Sequence, residues 1–288
     1  MQVPRRIAVI GLGRMGGGLA RNLTDDFDVV VFDLDPAAID RCVAAGATAA
    51  TGAVEAASGA DLVVSSLPMP HHVIELHTEL VPHLGDEAIV MDTSTIDPES
   101  AARVAELVGR ERFVACLLGK GPAQAEAGEV PLFVGGPDAA IEALGPVFER
   151  IGAEVHRLGT VEAATAFKLV SNLVGMTNLA VLAEGYALCR RAGVDDEAFR
   201  AALADTGGWS FQADVRLPWM IDGDFDPRFA VRLGLKDLAL TIAMASRWGL
   251  AAPVGAAGMS QLAAAVADGH GDEDVDAVLK VVDRDRFG

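Results

Sequence analysis

The 288-residue chain has only three cysteines, Cys42, Cys116 and Cys189. They lie far apart with no C-x-x-C spacing. An odd count without pattern suggests a reducing compartment and no disulfide framework. Basic residues are also scarce: 23 Lys and Arg stand against 41 Asp and Glu, a net charge of −18. That balance argues against a nucleic-acid backbone or an anionic membrane surface as the main partner. An anionic ligand must be drawn in by a local cationic site, not by the overall field. No low-complexity segment and no internal repeat stands out. The apolar run after Arg5-Arg6 breaks at Gly11, too soon for a signal-peptide core. The most apolar later stretch, Leu173 to Leu188, holds Asn178 and Glu184 and reads as too short and too polar to span a bilayer. The expected location is therefore cytoplasmic. His71, His77 and His83 fit the polar side of one helix without metal-ligand spacing, so no metal is expected.

What remains is 51% hydrophobic and 22% charged, enough for a substantial core in one large domain or two ordinary ones. The informative stretch is Arg6 to Ala20. Ile7 to Ile10 read as a short buried parallel strand. Gly11, Gly13 and Gly16 follow in G-x-G-x-x-G spacing, and Met15, Leu19 and Leu23 then recur at helical spacing. Gly11 permits the sharp turn, Gly13 lets backbone approach a pyrophosphate, and Gly16 lets helix and strand pack closely. Free N–H groups of the helix N-terminus face the phosphates. The turn residues Gly11, Leu12, Gly13, Arg14, Met15 and Gly16 are thus the first cofactor-binding candidates. Val29 to Phe32 form the second strand, ending in Asp33, 22 residues after Gly11. An acid there binds the adenosine ribose hydroxyls and repels a 2′-phosphate, while Leu34 and Asp35 supply no cation for one. The expected cofactor is NAD rather than NADP.

Strands and helical segments alternate from residue 5 to about 158, the signature of a doubly wound parallel sheet. The strand pattern then stops. Thr165 to Arg190 is apolar almost all round and should be a long buried helix; segments 195–205, 233–248, 255–268 and 272–283 are further helices. The reading is a Rossmann-type α/β domain over 1–160 and an all-helical domain over 161–288. The alanine-rich, weakly charged helix at 255–268 suggests surface reserved for a partner subunit.

Several short motifs then coincide in order along the chain. They are Gly11-Leu-Gly-Arg-Met-Gly16 with Ala20 and Asn22; Leu67-Pro68; Asp92-Thr-Ser-Thr-Ile-Asp-Pro98; Lys168-Leu-Val-Ser-Asn172; and Leu235-Lys-Asp-Leu238. Together they resemble the β-hydroxyacid dehydrogenases, the group that includes 3-hydroxyisobutyrate dehydrogenase and tartronate semialdehyde reductase. The resemblance covers essentially the whole chain. 6-Phosphogluconate dehydrogenase is similar in its first half, but this chain is too short for its large helical domain. The resemblance implies cofactor contacts at Leu67, Pro68 and His72, with Thr95 facing the nicotinamide ribose and Lys236 reaching back to the nicotinamide side. It implies reversible hydride transfer between a small anionic 3-hydroxy acid and NAD, with Lys168 as general acid/base. Asn172 would hold the substrate or orient the amine. Lys168 and Asn172, four apart, share one helix face, and Lys236 is a candidate neighbouring cation. Dimers or tetramers are also implied.

The chain departs from that family in its substrate loop, where the usual D-A-P-V-S-G-G reads Ala115-Cys-Leu-Leu-Gly-Lys-Gly121. Gly119, Lys120 and Gly121 are the substrate-binding candidates, with Asn172 and Lys236: glycines allow a concave run of N–H groups and Lys120 adds a charge. Glu162 and Ala164 replace two glycines that the family often has before the lysine. Two other readings compete. Imine reductases share the architecture but commonly replace the lysine with an acid or Tyr. A catalytically silent dinucleotide-binding protein is the reading from a different class.

Overall fold

The structure, a computed structural model, describes residues 1–287. Eight strands form one sheet: β1 (Arg6–Ile10), β2 (Asp28–Phe32), β3 (Thr48–Ala49), β4 (Leu62–Ser65), β5 (Ile89–Asp92), β6 (Phe113–Leu118), β7 (Val130–Gly135) and β8 (Gly152–Arg157). Their order is β3-β2-β1-β4-β5-β6-β7-β8. All neighbours pair in parallel except β6 and β7, which are antiparallel. The helices of this part are α1 (Gly16–Leu23), α2 (Pro36–Val43), α3 (Ala53–Ala57), α4 (Pro70–Leu80), α5 (Pro98–Val108), α6 (Pro122–Ala127), α7 (Asp138–Ala143) and α8 (Gly145–Ile151). After them come α9 (Val161–Arg191), α10 (Asp196–Ala204), α11 (Phe211–Asp222), α12 (Val231–Arg247), α13 (Pro253–Ala267), α14 (Val278–Val282) and α15 (Arg284–Phe287).

The strand period of two explains the double winding. Ile7 and Val9 of β1 enter one core with Leu62, Val64, Ile89 and Met91. Ala8 and Ile10 enter the opposite core with Val63, Val90, Ala115 and Leu117. Both faces need cover, so helices lie on both. Strands β1, β4, β5 and β6 share a direction, so their carboxyl ends line one sheet edge, the usual ligand side of such folds. The chain divides into two compact units, Met1–Lys168 and the residues from Leu169 onward. The second unit is helical around a core that includes Leu179, Ala183, Tyr186, Leu217, Leu238 and Leu262.

Several expectations need correction. The sheet is not wholly parallel: β7 reverses against β6. Residues 138–150 form two helices that break at Leu144, just before Gly145-Pro146, where Pro opens the second. Helix α11 was not expected; Pro218 inside it obscures the period, although Ser210 caps its start. The long helix α9 is not buried all round, since Val170, Val174, Val181 and Leu188 are exposed. By length and composition α9 could cross a membrane; it packs Leu179, Ala183 and Tyr186 into the second core. His77 does not lie on a polar helix side. It is fully buried, its ring 2.8 Å from the Val73 carbonyl oxygen, and burial pushes its pKa down to about 4.

Candidate active site

The turn after β1 is built by its glycines. Gly11 has φ +92°, and a Cβ there would collide with the Ser66 carbonyl oxygen. A Cβ on Gly16 would collide with the Gly11 carbonyl and lie 2.8 Å from Ser66 Cβ, whereas one on Gly13 would meet open space. The first and third glycines therefore serve close packing. Gly13 and Arg14 stay exposed at the mouth of the turn, with Met15 half-buried beside them, and Gly11 and Leu12 are buried. Asp33 holds this geometry. Its Oδ2 accepts from the Leu12 N–H at 2.5 Å, and its Oδ1 from the Asp35 N–H at 2.8 Å. A turn that is open at its middle glycine and acid-flanked at the next strand fits a dinucleotide's pyrophosphate and ribose.

A second polar cluster shapes the Leu67-Pro68 turn. Ser94 Oγ donates to Asp92 Oδ1 at 2.7 Å and accepts from the Leu67 N–H at 2.8 Å. Ser65 Oγ also donates to Asp92 Oδ1, at 2.7 Å. Asp92, Ser94 and Ser65 are buried, so these bonds form out of water and fix the turn. Ser94 is thus a structural organiser that motif reading passed over in favour of its neighbour Thr95. Thr95 lies half-buried beyond the end of β5. His72 is exposed on the first turn of α4, its ring stacked edgewise on His71.

The substrate-loop candidates follow β6. The Gly119 N–H donates to the Pro131 carbonyl at 2.9 Å, and a Cβ on Gly119 would lie 2.5 Å from Pro131 Cγ. Pro131 therefore fills the space a serine side chain would need. Lys120 is exposed and has φ +57°. Gly121 opens α6, which is fastened to α1: Asn22 Nδ2 donates to the Ala125 carbonyl at 2.8 Å, and Arg21 pairs with Glu126. The other departures have local partners. Glu162 pairs with Arg110 at 2.9 Å, and Ala164 is buried beside Gly135.

On α9, Lys168 and Asn172 are one turn apart and both half-buried. Within the helical unit Asn172 Nδ2 donates to Asp237 Oδ2 at 2.6 Å, and Lys236 Nζ lies 2.9 Å from Asp237 Oδ1. Asp237 is 1% exposed, so this is not an ordinary surface charge pair. Thr241 Oγ1 bridges the Asp237 and Leu169 carbonyls at 2.7 and 3.2 Å, fixing α12 against α9. Lys236, the candidate cation, is thus paired with Asp237 within the helical unit. Further along the helical unit Phe211 is exposed, Trp209 and Phe229 pack on the second core, and the Arg228 guanidinium lies 4.2 Å from the Trp219 ring.

A family model described as the NAD binding domain of 6-phosphogluconate dehydrogenase matches residues 6–159, and one described as NAD-binding of NADP-dependent 3-hydroxyisobutyrate dehydrogenase matches residues 163–282. The NAD-dependent L-serine dehydrogenase of Pseudomonas aeruginosa is 32% identical over 97% of this chain and 98% of its own. The chain belongs to the β-hydroxyacid dehydrogenase family. The 2-(hydroxymethyl)glutarate dehydrogenase of Eubacterium barkeri is 29% identical over 98% of this chain and 96% of its own. The Mycobacterium tuberculosis 3-hydroxyisobutyrate dehydrogenase structure with L-serine matches with a TM-score of 0.88 and 26% identity, covering 98% of this chain and 99% of that one. This β-hydroxyacid dehydrogenase is thus an oxidoreductase acting on CH–OH groups with a nicotinamide dinucleotide. Imine reductases match in fold alone, one at 21% identity with a TM-score of 0.64, while the curated relatives are dehydrogenases and reductases of hydroxy compounds.

Proposed function

We propose that this β-hydroxyacid dehydrogenase oxidises a small anionic 3-hydroxy acid with NAD, using Lys168 as the general acid/base. The observation that carries the proposal is the set on α9 and α12: Lys168 one turn from Asn172, whose amide is held at 2.6 Å by the buried Asp237. One Asn172 N–H is committed to Asp237, which fixes the amide plane. Its carbonyl oxygen is left to accept from an ammonium or a hydroxyl one turn away. Lys168, neutral when it meets the alcohol, takes the hydroxyl proton on Nζ; in the reverse direction its ammonium polarises the carbonyl and returns the proton. Bound nicotinamide supplies hydride acceptance and donation. Gly11 to Gly16 would hold the pyrophosphate, Asp33 the adenosine ribose, and Leu67, Pro68, His72, Thr95 and Lys236 the nicotinamide half. Asp33 supports NAD over NADP, because a carboxylate repels a 2′-phosphate. Names of the relatives support the substrate class: L-serine and 2-(hydroxymethyl)glutarate are both 3-hydroxy acids or extended forms of one.

The same reading places the enzyme in the cytoplasm as a homo-oligomer. The exposed Val170, Val174, Val181 and Leu188 repeat at intervals of four and seven along α9, an apolar stripe suited to a second copy. Light scattering should give a multiple of the 29.9 kDa chain mass; a single-chain mass refutes it. The activity test is NAD reduction at alkaline pH against a panel including serine, 3-hydroxyisobutyrate, 3-hydroxypropionate and glycerate. Lys168→Ala should lower kcat about 100- to 10,000-fold. Full activity in that variant refutes the proton-transfer role. Dinucleotide binding without turnover across the panel would favour a silent binding protein.

A further inference from the structure

We propose that Lys120 makes the substrate site selective for a tetrahedral dianionic acid group, of the phosphonate class, in place of the carboxylate of a simple 3-hydroxy acid. The inference rests on the dehydrogenase reading for the site's location. It is carried by the backbone and the charge pattern of one loop.

Lys120 is the one non-glycine residue with positive φ among the described residues. Lysine has no short polar side chain to bond its own backbone in that region, as Asn or Asp has, so the conformation is held by the surroundings. These are visible on both sides. Gly119 is bonded through its N–H to Pro131 and cannot carry a side chain beside Pro131 and Phe133. Gly121 N–H donates to Gln124 Oε1 at 3.3 Å, and α6 beyond it is pinned to α1 by Asn22 and by the Arg21–Glu126 pair. The strained residue is therefore clamped at both ends, at the carboxyl edge of β6. That edge also carries the glycine turn after β1 and the Leu67 turn after β4.

The donors of the loop select its ligand. With the Gly119 and Gly121 N–H groups both used, the loop has no open run of three amides, and no hydroxyl can be placed at 119. Recognition of an anion falls on the Lys120 ammonium and its own N–H. An ammonium in place of a neutral hydroxyl adds one positive charge, which offsets one further negative charge on the ligand. Lysine binds a phosphoryl-type oxyanion as a compact point charge with three rotatable donors, so the discrimination it supplies is one of charge. Among the described residues Lys120 makes no ion pair, although the chain carries 41 acidic residues. Its charge remains available for a ligand.

Titration calorimetry of the NAD-loaded full chain with inert analogues lacking the hydroxyl tests the charge reading without turnover. The probes are propionate, ethanesulfonate, ethylphosphonate and succinate at about pH 9, where the phosphonate is a dianion. Ethylphosphonate should bind about 10-fold or more tightly than ethanesulfonate, which has the same shape and one charge fewer. Lys120→Gln and Lys120→Gly, the latter relieving the backbone strain, should both collapse that ratio toward one, and Lys120→Arg should retain most of it. A wild-type ratio near one, a ratio unchanged in Lys120→Gln and Lys120→Gly, or succinate binding as tightly as ethylphosphonate overturns the proposal. Oxidation of 2-hydroxyethylphosphonate against 3-hydroxypropionate is the second arm. Should the binding contrast hold while neither alcohol is oxidised, the selectivity stands and the dehydrogenase reading for this substrate class falls.

Discussion

Replacing Asp276 by Asn should change how stability depends on pH. Asp276 sits in the 3₁₀ turn Val275–Ala277 of the helical unit, fully buried, with neither carboxyl oxygen hydrogen-bonded among the described residues. Its neighbour Asp274, equally buried, takes the donors: Arg216 Nε at 2.9 Å and the N–H groups of Arg228 and Phe229 at 3.1 and 2.7 Å. Burial first, and the Asp274 charge second, push Asp276 from an ordinary 3.8 up to about 8, against the pull of Arg216 and Arg228. Below the unfolded value both states hold the proton and nothing is lost. As pH rises toward 8 the unfolded chain releases its proton while the native chain keeps it, so stability falls and then levels off. At about 1.4 kcal/mol per unit the ceiling is about 6 kcal/mol. Two guanidinium groups and relaxation around a buried charge reduce this, and about 2 kcal/mol is expected. Asn carries a cost for its unpartnered amide, about 1–3 kcal/mol, that does not vary with pH. The difference in Tm, variant minus wild type, should therefore grow by about 4–8 °C between about pH 4.5 and pH 8.5. Scanning calorimetry of both proteins across that range measures it. Parallel Tm curves would refute the account of Asp276 as a buried, protonated acid.

His77 predicts the opposite slope in the sheet-containing unit. Its native pKa of about 4 lies below the ordinary 6.5, so stability is whole above 6.5 and lost as pH falls toward 4, by up to about 3 kcal/mol. Urea unfolding at about pH 4.5 and pH 7 should show that loss shrinking in His77→Gln; an equal loss in both proteins would contradict it. Asp237→Asn should lower kcat/KM about 10- to 100-fold by loosening Asn172, with the fall in kcat and not in KM. Asp237→Glu should recover part of it, and a pure rise in KM would assign Asp237 to binding instead.

Local chemistry accounts for what could be read from the sequence. The G-x-G-x-x-G turn, the acid after β2 and the alternation of buried strands with helices each depend on neighbours close in the chain, so Gly11 and Gly16 took the expected tight geometry and Asp33 stands directly after β2. Tertiary burial decided the rest. Asp237 looks like half of a surface charge pair until α12 turns it toward Asn172, and His77 looks polar until α4 packs it near Phe113. The reversal of β7 was hidden because an antiparallel pair buried on both faces leaves the same apolar run as a parallel one. Ser94 was missed because its partner, the Leu67 N–H, is 27 residues away.

Pro131 packed against Gly119 has a consequence for how this loop can change over time. Serine at 119 is closed to a single substitution, because its Cβ would lie 2.5 Å from the proline ring. The route opens only after Pro131 has been replaced by a smaller residue. The two positions are therefore coupled, and the order of mutations matters. A library that varies Gly119 alone would score serine as forbidden; one that varies both positions together would recover it.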